Sequence, residues 1–481
     1  MPQFPWNDHE SEPSRSPLEA LLAEWEDPDA EEEEFRSDFF QGLEGRRKKA
    51  AFALMLIWTV VISLHYWVWG SELVWGLMVI LALQALRLMK ATPEPSPAVL
   101  APDAPGDRYQ RVSLLVAAKN EAAVIGQLVT QLCALDYPTH CYDIWIVDDN
   151  STDQTPAILD RLASQYPQLN VVHRPAGAGG GKSGALNDVL AQAKGSIIGV
   201  FDADASVPPD LLRQVVPYFE AVDFGALQVR KAIANAGVNF WTKGQAAEMM
   251  LDTYFQQQRI VTGGIGELRG NGQFVSRKAL DNVGGWNEQT ITDDLDLTIR
   301  LHLNNWKVGI LVNPPVEEEG VTTAIALWHQ RNRWAEGGYQ RYLDYWRYIM
   351  TQPMGWRKKV DLVSFMLMQY LLPAAAVPDL LMALWRHRLP LLTPLTYVAV
   401  SFSCWGMYHG LRRLTPPNHQ SPWQRTGSLL GQTVLGTFYM FHWLVIMPAV
   451  TARMAFRAKR LKWVKTVHGK VNDDGLELKQ S

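Results

Sequence analysis

Four short stretches of this chain carry side chains that can do chemistry: Asp148-Asp149, Asp202-Ala203-Asp204, Thr292-Asp293-Asp294 and Gln330-Arg331-Asn332-Arg333-Trp334. Carboxylates one residue apart at a strand end, as Asp202 and Asp204 are expected to be, are hard oxygen donors. They suit Mg²⁺ or Mn²⁺ shared with a substrate diphosphate, and such a cation neutralises charge developing on a departing nucleotide. Asp294 lies at the positive end of a helix expected over Leu295–Leu303, where it stays ionised and can take a proton from a hydroxyl as a general base. Arg333 offers a forked guanidinium to a diphosphate, and Trp334 offers a flat face to an acceptor. Together these groups would serve the transfer of a sugar from a nucleotide to an alcohol.

Each stretch also has a plainer reading. Asp148-Asp149-Asn150-Ser151-Thr152-Asp153 closes a strand and opens a helix, where Asp, Asn and Ser accept bonds from unpaired amides. Adjacent acids ending a buried strand still need a partner for their charge, and the base or ribose of a nucleotide would supply one. Thr292 and Asp293 suit a helix cap. The run Gly177-Ala178-Gly179-Gly180-Gly181-Lys182-Ser183 misses a phosphate-binding P-loop by one place, because the first glycine would fall at Ala176. An ATPase or kinase is therefore set aside, and the run reads as a flexible loop whose Lys182 reaches a nucleotide phosphate. Gly263-Gly264, Gly270-Asn271-Gly272 and Gly284-Gly285-Trp286 read as turns where bare backbone can approach a sugar.

The elements that must position these groups show an alternating pattern. Short apolar runs at Val112–Ala117, Asp143–Val147, Asn170–His173 and Ile197–Phe201 are separated by helical segments at Ala122–Leu135, Thr155–Tyr166 and Ser183–Ala193. This alternation predicts βαβ units and a parallel sheet. Ligands of such sheets sit beyond the carboxyl ends of the strands, where Asp148-Asp149 and Asp202-Ala203-Asp204 both fall.

At 481 residues the chain exceeds one ordinary core. Only 20% of it is charged and it holds 19 Trp, which suits apolar spans with aromatic belts. A net charge of -4 argues against nucleic acid as a main partner. Cys133, Cys141 and Cys404 stand far apart without a CxxC pair, so neither structural zinc nor a disulfide framework is expected, and a reducing cytoplasmic setting suits them.

Residues 1–45 form an acidic tail expected to be disordered. Arg46-Arg47-Lys48-Lys49 then leads into two apolar runs, Ala50–Trp69 and Leu73–Met89, each near the ~20 residues that cross a bilayer as a helix. The very short turn between them makes a hairpin over 46–90, and the basic flanks place both its ends on the cytoplasmic side. A proline-rich linker fills 91–109, and the catalytic domain fills 110–320. An amphipathic helix over 321–350 interleaves aromatics with arginines in the manner of a membrane interface. Three apolar runs follow within 361–452, at Leu362–Trp385, Leu389–Tyr408 and Ser428–Ala452, ahead of a basic tail over 453–481. Three crossings would leave the basic stretch Arg453–Lys465 outside, against the charge rule, so one run is expected to be irregular. Leu362–Trp385, with Pro373, Pro378 and Asp379, is the candidate. So few spans leave little room for a polymer channel and favour one sugar placed on one lipid.

Val147-Asp148-Asp149, Asp202-x-Asp204, Thr292-Asp293-Asp294 and Gln330-x-x-Arg333-Trp334 resemble, in order and spacing, the motifs of membrane-bound family 2 glycosyltransferases, over about Val112–Leu343. The resemblance implies an α/β, GT-A (Rossmann-like) nucleotide-sugar-binding domain on the cytosolic face, with N- and C-terminal transmembrane helices. It implies Asp294 as the base of an inverting displacement, Asp149 on uridine, and Asp202 with Asp204 on Mg²⁺ or Mn²⁺ and the diphosphate. Gln330, Arg333 and Trp334 would clamp diphosphate and acceptor, while Asp148 and Lys182 complete the nucleotide-sugar site. The donor implied is UDP-glucose, and the acceptor is 1,2-diacylglycerol drawn from the membrane lipids, giving a β-glucoside. Polymer synthesis of the cellulose or hyaluronan type and ceramide glucosylation are the alternatives, and a non-enzymatic scaffold is not expected. Many relatives have Thr-Glu-Asp where this chain has Thr292-Asp293-Asp294, which shortens the middle acid and leaves the base in place.

Overall fold

A computed structural model describes residues 46–415 and 421–456; the acidic tail over 1–45 and nearly all of the basic tail over 453–481 lie outside the described residues. Two apolar helices lead, α1 (Arg46–Tyr66) and α2 (Gly70–Lys90). The predicted alternation follows as β1 (Val112–Ala118), α3 (Ile125–Cys133), β2 (Tyr142–Asp148), α4 (Thr155–Ala163), β3 (Leu169–His173), α5 (Gly181–Leu190) and β4 (Ile197–Phe201). Beyond it come α6 (Leu211–Val215), β5 (Phe224–Ile233), α7 (Phe240–Val261), β6 (Gln273–Ser276), α8 (Arg277–Asn282), α9 (Asp293–Leu303), β7 (Lys307–Glu318) and α10 (Ala324–Thr351).

The strands form one seven-stranded sheet in the order β3-β2-β1-β4-β6-β5-β7. β1 to β4 pair in parallel, while β6 runs antiparallel between β4 and β5. The sheet is thus mixed, where the sequence pattern predicts a parallel one. Central parallel strands are covered on both faces and need continuous apolar residues, and all five residues of β4 are buried. One core packs Leu114, Ile144 and Phe201 against Leu128, Leu159 and Leu211 of α3, α4 and α6. The opposite core packs Leu115, Val147 and Val200 against Leu186, Leu280 and Leu301 of α5, α8 and α9.

The chain ends in α11 (Trp356–Trp385), α12 (Thr393–Leu414), α13 (Pro422–Met440) and α14 (Trp443–Phe456). A third core joins these to the catalytic domain through Ala335, Tyr345, Leu362, Ile446 and Ala50. Arg46 at the start of α1 donates to Asp344 of α10 from Nε at 2.7 Å and from Nη2 at 2.5 Å, tying the first apolar helix to the domain.

Among the described residues four helical segments are long and apolar enough to cross a membrane: α1, α2, α11, and α13 with α14 taken together as Pro422–Phe456. Phe52, Ile80 and Leu83 stand about 60% exposed on α1 and α2, a surface that lipid rather than water suits. α11, the expected irregular element, holds a widened π-helical turn at Leu367–Leu371 and Pro378 inside the helix, and it is still long and apolar enough to cross a membrane. It is α12 that falls short, and it packs on α7, where a Cβ at Gly406 would meet Phe255 at 2.5 Å. Four crossings would bring the chain back to its starting face, which would suit the basic residues that follow in sequence.

Candidate active site

Register places the acidic stretches. Ala118 pairs with Asp148 and Val116 with Phe201, so Asp149 and Asp202 leave the sheet just past the carboxyl ends of β2 and β4. Lys182 Nζ donates to Asp202 Oδ1 at 2.6 Å, and the Asp202 amide donates to Asn271 Oδ1 at 3.3 Å. Lys182 stands on the first turn of α5 rather than on a flexible loop. Burial works against its charge, but Asp202, then Asp293 and Asp294, hold the ammonium above its ordinary value.

Asp293 and Asp294 open α9, with Thr292 as an extended cap residue that makes no side-chain cap bond. The Leu295 amide donates to Asp294 Oδ1 at 2.8 Å. Gly270 has φ +81, and a Cβ there would lie 3.5 Å from Asp294 Oδ2, so the turn before β6 brings bare backbone to the carboxylate. Helix α10 crosses the start of α9 closely enough that a Cβ at Gly337 would meet the Thr292 side chain at 2.3 Å.

Lys182, Asp202, Asp204, Asp293, Asp294, Gln330, Arg333 and Trp334 thereby line one cavity of about 680 Å³. Its walls continue into the apolar helices, through Leu81 of α2, Leu372 of α11, Phe402 of α12 and Met440 of α13. Asp148 and Asp149 do not line it. Asp148 accepts from the Ser151 amide at 3.1 Å and pairs with His173 Nδ1 at 2.8 Å, which braces the strand end. Asp149 Oδ1 accepts from Arg174 Nη1 at 2.6 Å, and Arg174 Nη2 donates to the Gly179 carbonyl at 2.6 Å, pinning the glycine loop.

The arginines of α10 face inward more than the amphipathic pattern suggests. Arg331 is wholly buried, donates to Glu248 and to Tyr439, and lies 4.0 Å from the Trp334 ring centroid. Gln330 Oε1 accepts from Arg331 Nη1 at 2.7 Å. A helix face with alternating arginines looks the same in sequence whether carboxylates or lipid headgroups lie across from it.

Among the cavity residues that the sequence does not single out are Lys231 and Arg269. Lys231 pairs with Glu318 at 2.8 Å and lies 5.3 Å from the Trp334 ring centroid. Arg269 adds positive charge beside Asp294. The signal for the first was the adjacent Arg230-Lys231 inside a mostly apolar strand, and for the second the turn beginning at Gly270.

Among the described residues no group of three or more His, Cys, Asp and Glu could hold a metal ion. Asp202 and Asp204 nonetheless supply two hard oxygen donors to the cavity wall, and Mg²⁺ keeps several waters and is commonly held by one or two carboxylates plus substrate phosphates. The donor set fits a divalent cation that is completed by the diphosphate.

Asp294 carries a titration with a consequence. Burial, then the neighbouring charge of Asp293, push its carboxyl up to about 6, against the Leu295 amide, Lys182 and Arg269. The helix end thus does not dominate, as the sequence alone implies it would. A base must be ionised to work, so kcat/KM is expected to fall about tenfold per pH unit below about 6. Asp293→Asn removes the neighbouring charge and should move that acid limb to lower pH. A pH–rate profile of both proteins checks this, and an unmoved limb would contradict it.

The glycosyl transferase family 2 model matches residues 113–284. A Synechocystis protein named beta-monoglucosyldiacylglycerol synthase is 76% identical over 481 residues, covering 100% of both chains. A Nostoc protein of the same name is 55% identical over 480 residues, covering 97% of this chain and 99% of its own. Among solved structures, the mannosyltransferase PcManGT from Pyrobaculum calidifontis, in complex with GDP-Man and Mn²⁺, superimposes with a TM-score of 0.52 at 20% identity, covering 80% of this chain and 99% of that one. That likeness concerns the fold, which is the GT-A fold. With full-length identity of 76% on top of the family match, the chain belongs to the family 2 glycosyltransferases and, within them, to the beta-monoglucosyldiacylglycerol synthases.

Proposed function

We propose that this protein transfers glucose from UDP-glucose to the free hydroxyl of 1,2-diacylglycerol, with inversion, to give beta-monoglucosyldiacylglycerol. The observation that carries this reading is the single cavity whose walls run from Asp202 and Asp294 into α2, α11, α12 and α13. A water-soluble donor and a membrane-borne acceptor need one space open to both kinds of surroundings. The names of the full-length relatives carry glucose and diacylglycerol, and UDP as the carrier is what the motif resemblance implies.

In this reaction Asp294 accepts the hydroxyl proton as the acceptor oxygen attacks the anomeric carbon of glucose. The bond from that carbon to the diphosphate breaks, and its electron pair leaves with UDP. Asp202 and Asp204 would hold Mg²⁺ or Mn²⁺, which would supply positive charge to the diphosphate as it leaves. Lys182 and Arg333 add fixed positive charge on the same side. The uridine would extend past the cavity to Asp149, which Arg174 holds, and Asp148 braces the strand end that presents it. Gln330 and Trp334 seat the acceptor. Catalysis takes place on the cytosolic face, where the basic residues flanking α1 and α2 lie.

The donor assignment is tested with purified enzyme, diacylglycerol and a panel of labelled nucleotide sugars. Label from UDP-glucose is expected in one extractable glycolipid, and its loss on chelating divalent metal is expected too. Label entering lipid only from UDP-galactose or GDP-mannose would overturn the donor assignment. Label in insoluble material would point to a polymer synthase.

A further inference from the structure

A buried ion pair stands against Gln330 and Trp334, and the reaction described above does not use it. Arg331 of α10 and Glu248 of α7 have side chains 1% and 10% exposed, and Arg331 Nη2 donates to Glu248 Oε2 at 2.5 Å. The last two helices complete the pair. Tyr439 of α13 donates its hydroxyl to the same carboxylate oxygen at 3.1 Å and accepts from Arg331 Nη2 at 3.3 Å. Trp443 of α14 donates from Nε1 to Glu248 Oε1 at 2.9 Å. Both Glu248 oxygens are therefore bonded, and one end of the guanidinium is fixed. Its other end serves the motif residues on either side. Nη1 donates to Gln330 Oε1 at 2.7 Å, and the guanidinium carbon lies 4.0 Å from the Trp334 ring centroid, within cation–π range. Gln330, Trp334 and Glu248 line the reaction cavity, whereas Arg331 is wholly buried.

We propose that Arg331 is a positioning residue for the acceptor: anchored by Glu248 and Tyr439, it fixes the Gln330 amide and the Trp334 ring in the poses that receive diacylglycerol. This inference rests on the reading that Gln330 and Trp334 seat the acceptor, and it adds what holds them there. Neutralising Glu248 needs only a positive charge, which a lysine also supplies. A lysine has neither the planar fork that reaches Glu248 and Gln330 at once nor the flat face that covers an indole. An arginine offers no acceptor, so it takes the oxygen end of the Gln330 amide and leaves the N–H₂ end for a ligand oxygen. Tyr439 and Trp443 belong to Pro422–Phe456, a segment long and apolar enough to cross a membrane. The acceptor seat is thus set from the side on which a lipid arrives.

The test measures KM for UDP-glucose and for dioleoylglycerol separately, on wild type, Arg331→Lys and Tyr439→Phe. Arg331→Lys keeps the charge opposite Glu248. It is expected to raise the dioleoylglycerol KM about tenfold, as loss of a hydrogen bond from a charged donor implies, with the UDP-glucose KM within about twofold of wild type. Tyr439→Phe keeps the ring on Gly244 and removes only the hydroxyl, so a rise of about threefold in the dioleoylglycerol KM alone is expected. An unmoved UDP-glucose KM reports an intact fold, and if Arg331→Lys does not fold, Tyr439→Phe decides by the same split. Wild-type KM values in the variants would overturn the positioning role. Equal rises in both KM values would overturn it too, because they mark a loosened fold rather than a displaced acceptor seat. Failure of the wild-type protein to glucosylate dioleoylglycerol would overturn the acceptor reading, and the role with it.

Discussion

Asp294→Asn is expected to lower kcat by about three orders of magnitude, the upper range of what a positioned general base contributes. The carboxylate lines the reaction cavity beside Asp202 and Asp204, and Gly270 leaves room against its Oδ2. Asn keeps the shape and the bond from the Leu295 amide but cannot accept the hydroxyl proton. On the proposed reading the donor is held elsewhere, by Asp202, Lys182 and Arg333, so equilibrium binding of UDP-glucose should change little. Turnover and binding measured on the same preparation separate the two effects. An Asp294→Asn protein that turns over within tenfold of wild type would remove Asp294 from the role of base.

The largest expected effect on stability comes from Glu267→Gln. Glu267 is 0% exposed and faces Arg269 at 2.7 Å, Arg341 at 2.8 Å and Arg259 at 3.5 Å. Burial pushes its carboxyl up, but Arg341, then Arg269 and Arg259, outweigh burial and hold it well below the usual carboxylate range. Gln keeps the volume and removes the charge, leaving three guanidiniums, those of Arg259 and Arg341 buried, against the two carboxylates of Asp361 and Asp252. Breaking a buried pair by removing one partner costs about 3–5 kcal/mol. Thermal unfolding in detergent should therefore show a midpoint lower by about 10 °C. Asp223→Asn makes the control, because the Asp223–Lys307 pair is more than half exposed on both sides and its loss should leave the midpoint unmoved. Equal midpoints for wild type and Glu267→Gln would show that the cluster carries no such charge balance.

The parallel half of the sheet was legible because buried parallel strands leave continuous apolar runs, and Ile197–Phe201 matched to the residue. The antiparallel insertion was not. β6 spans only Gln273–Ser276, and nothing in four residues with Gln and Ser at the ends marks a strand that completes a sheet. The motif acids and the Gln330–Trp334 run were legible by type and spacing, and the fold carries Asp202, Asp204, Asp294 and Trp334 to one cavity. Partners were not legible, because spacing along a chain does not say what lies across from a side chain. Arg331 and Arg341 therefore read as interfacial, yet they meet Glu248 and Glu267 inside the protein.

Inverting transfer of a single glucose to diacylglycerol is best tested on the product itself. Purified protein would be supplied with UDP-glucose, Mg²⁺ and dioleoylglycerol, and the extracted lipid examined by mass spectrometry and by the coupling of its anomeric proton. One hexose per lipid with the large coupling of a β-glucoside is the result expected. An α-linkage would contradict inversion at Asp294, and a ladder of hexoses would contradict a cavity that takes one sugar and one lipid.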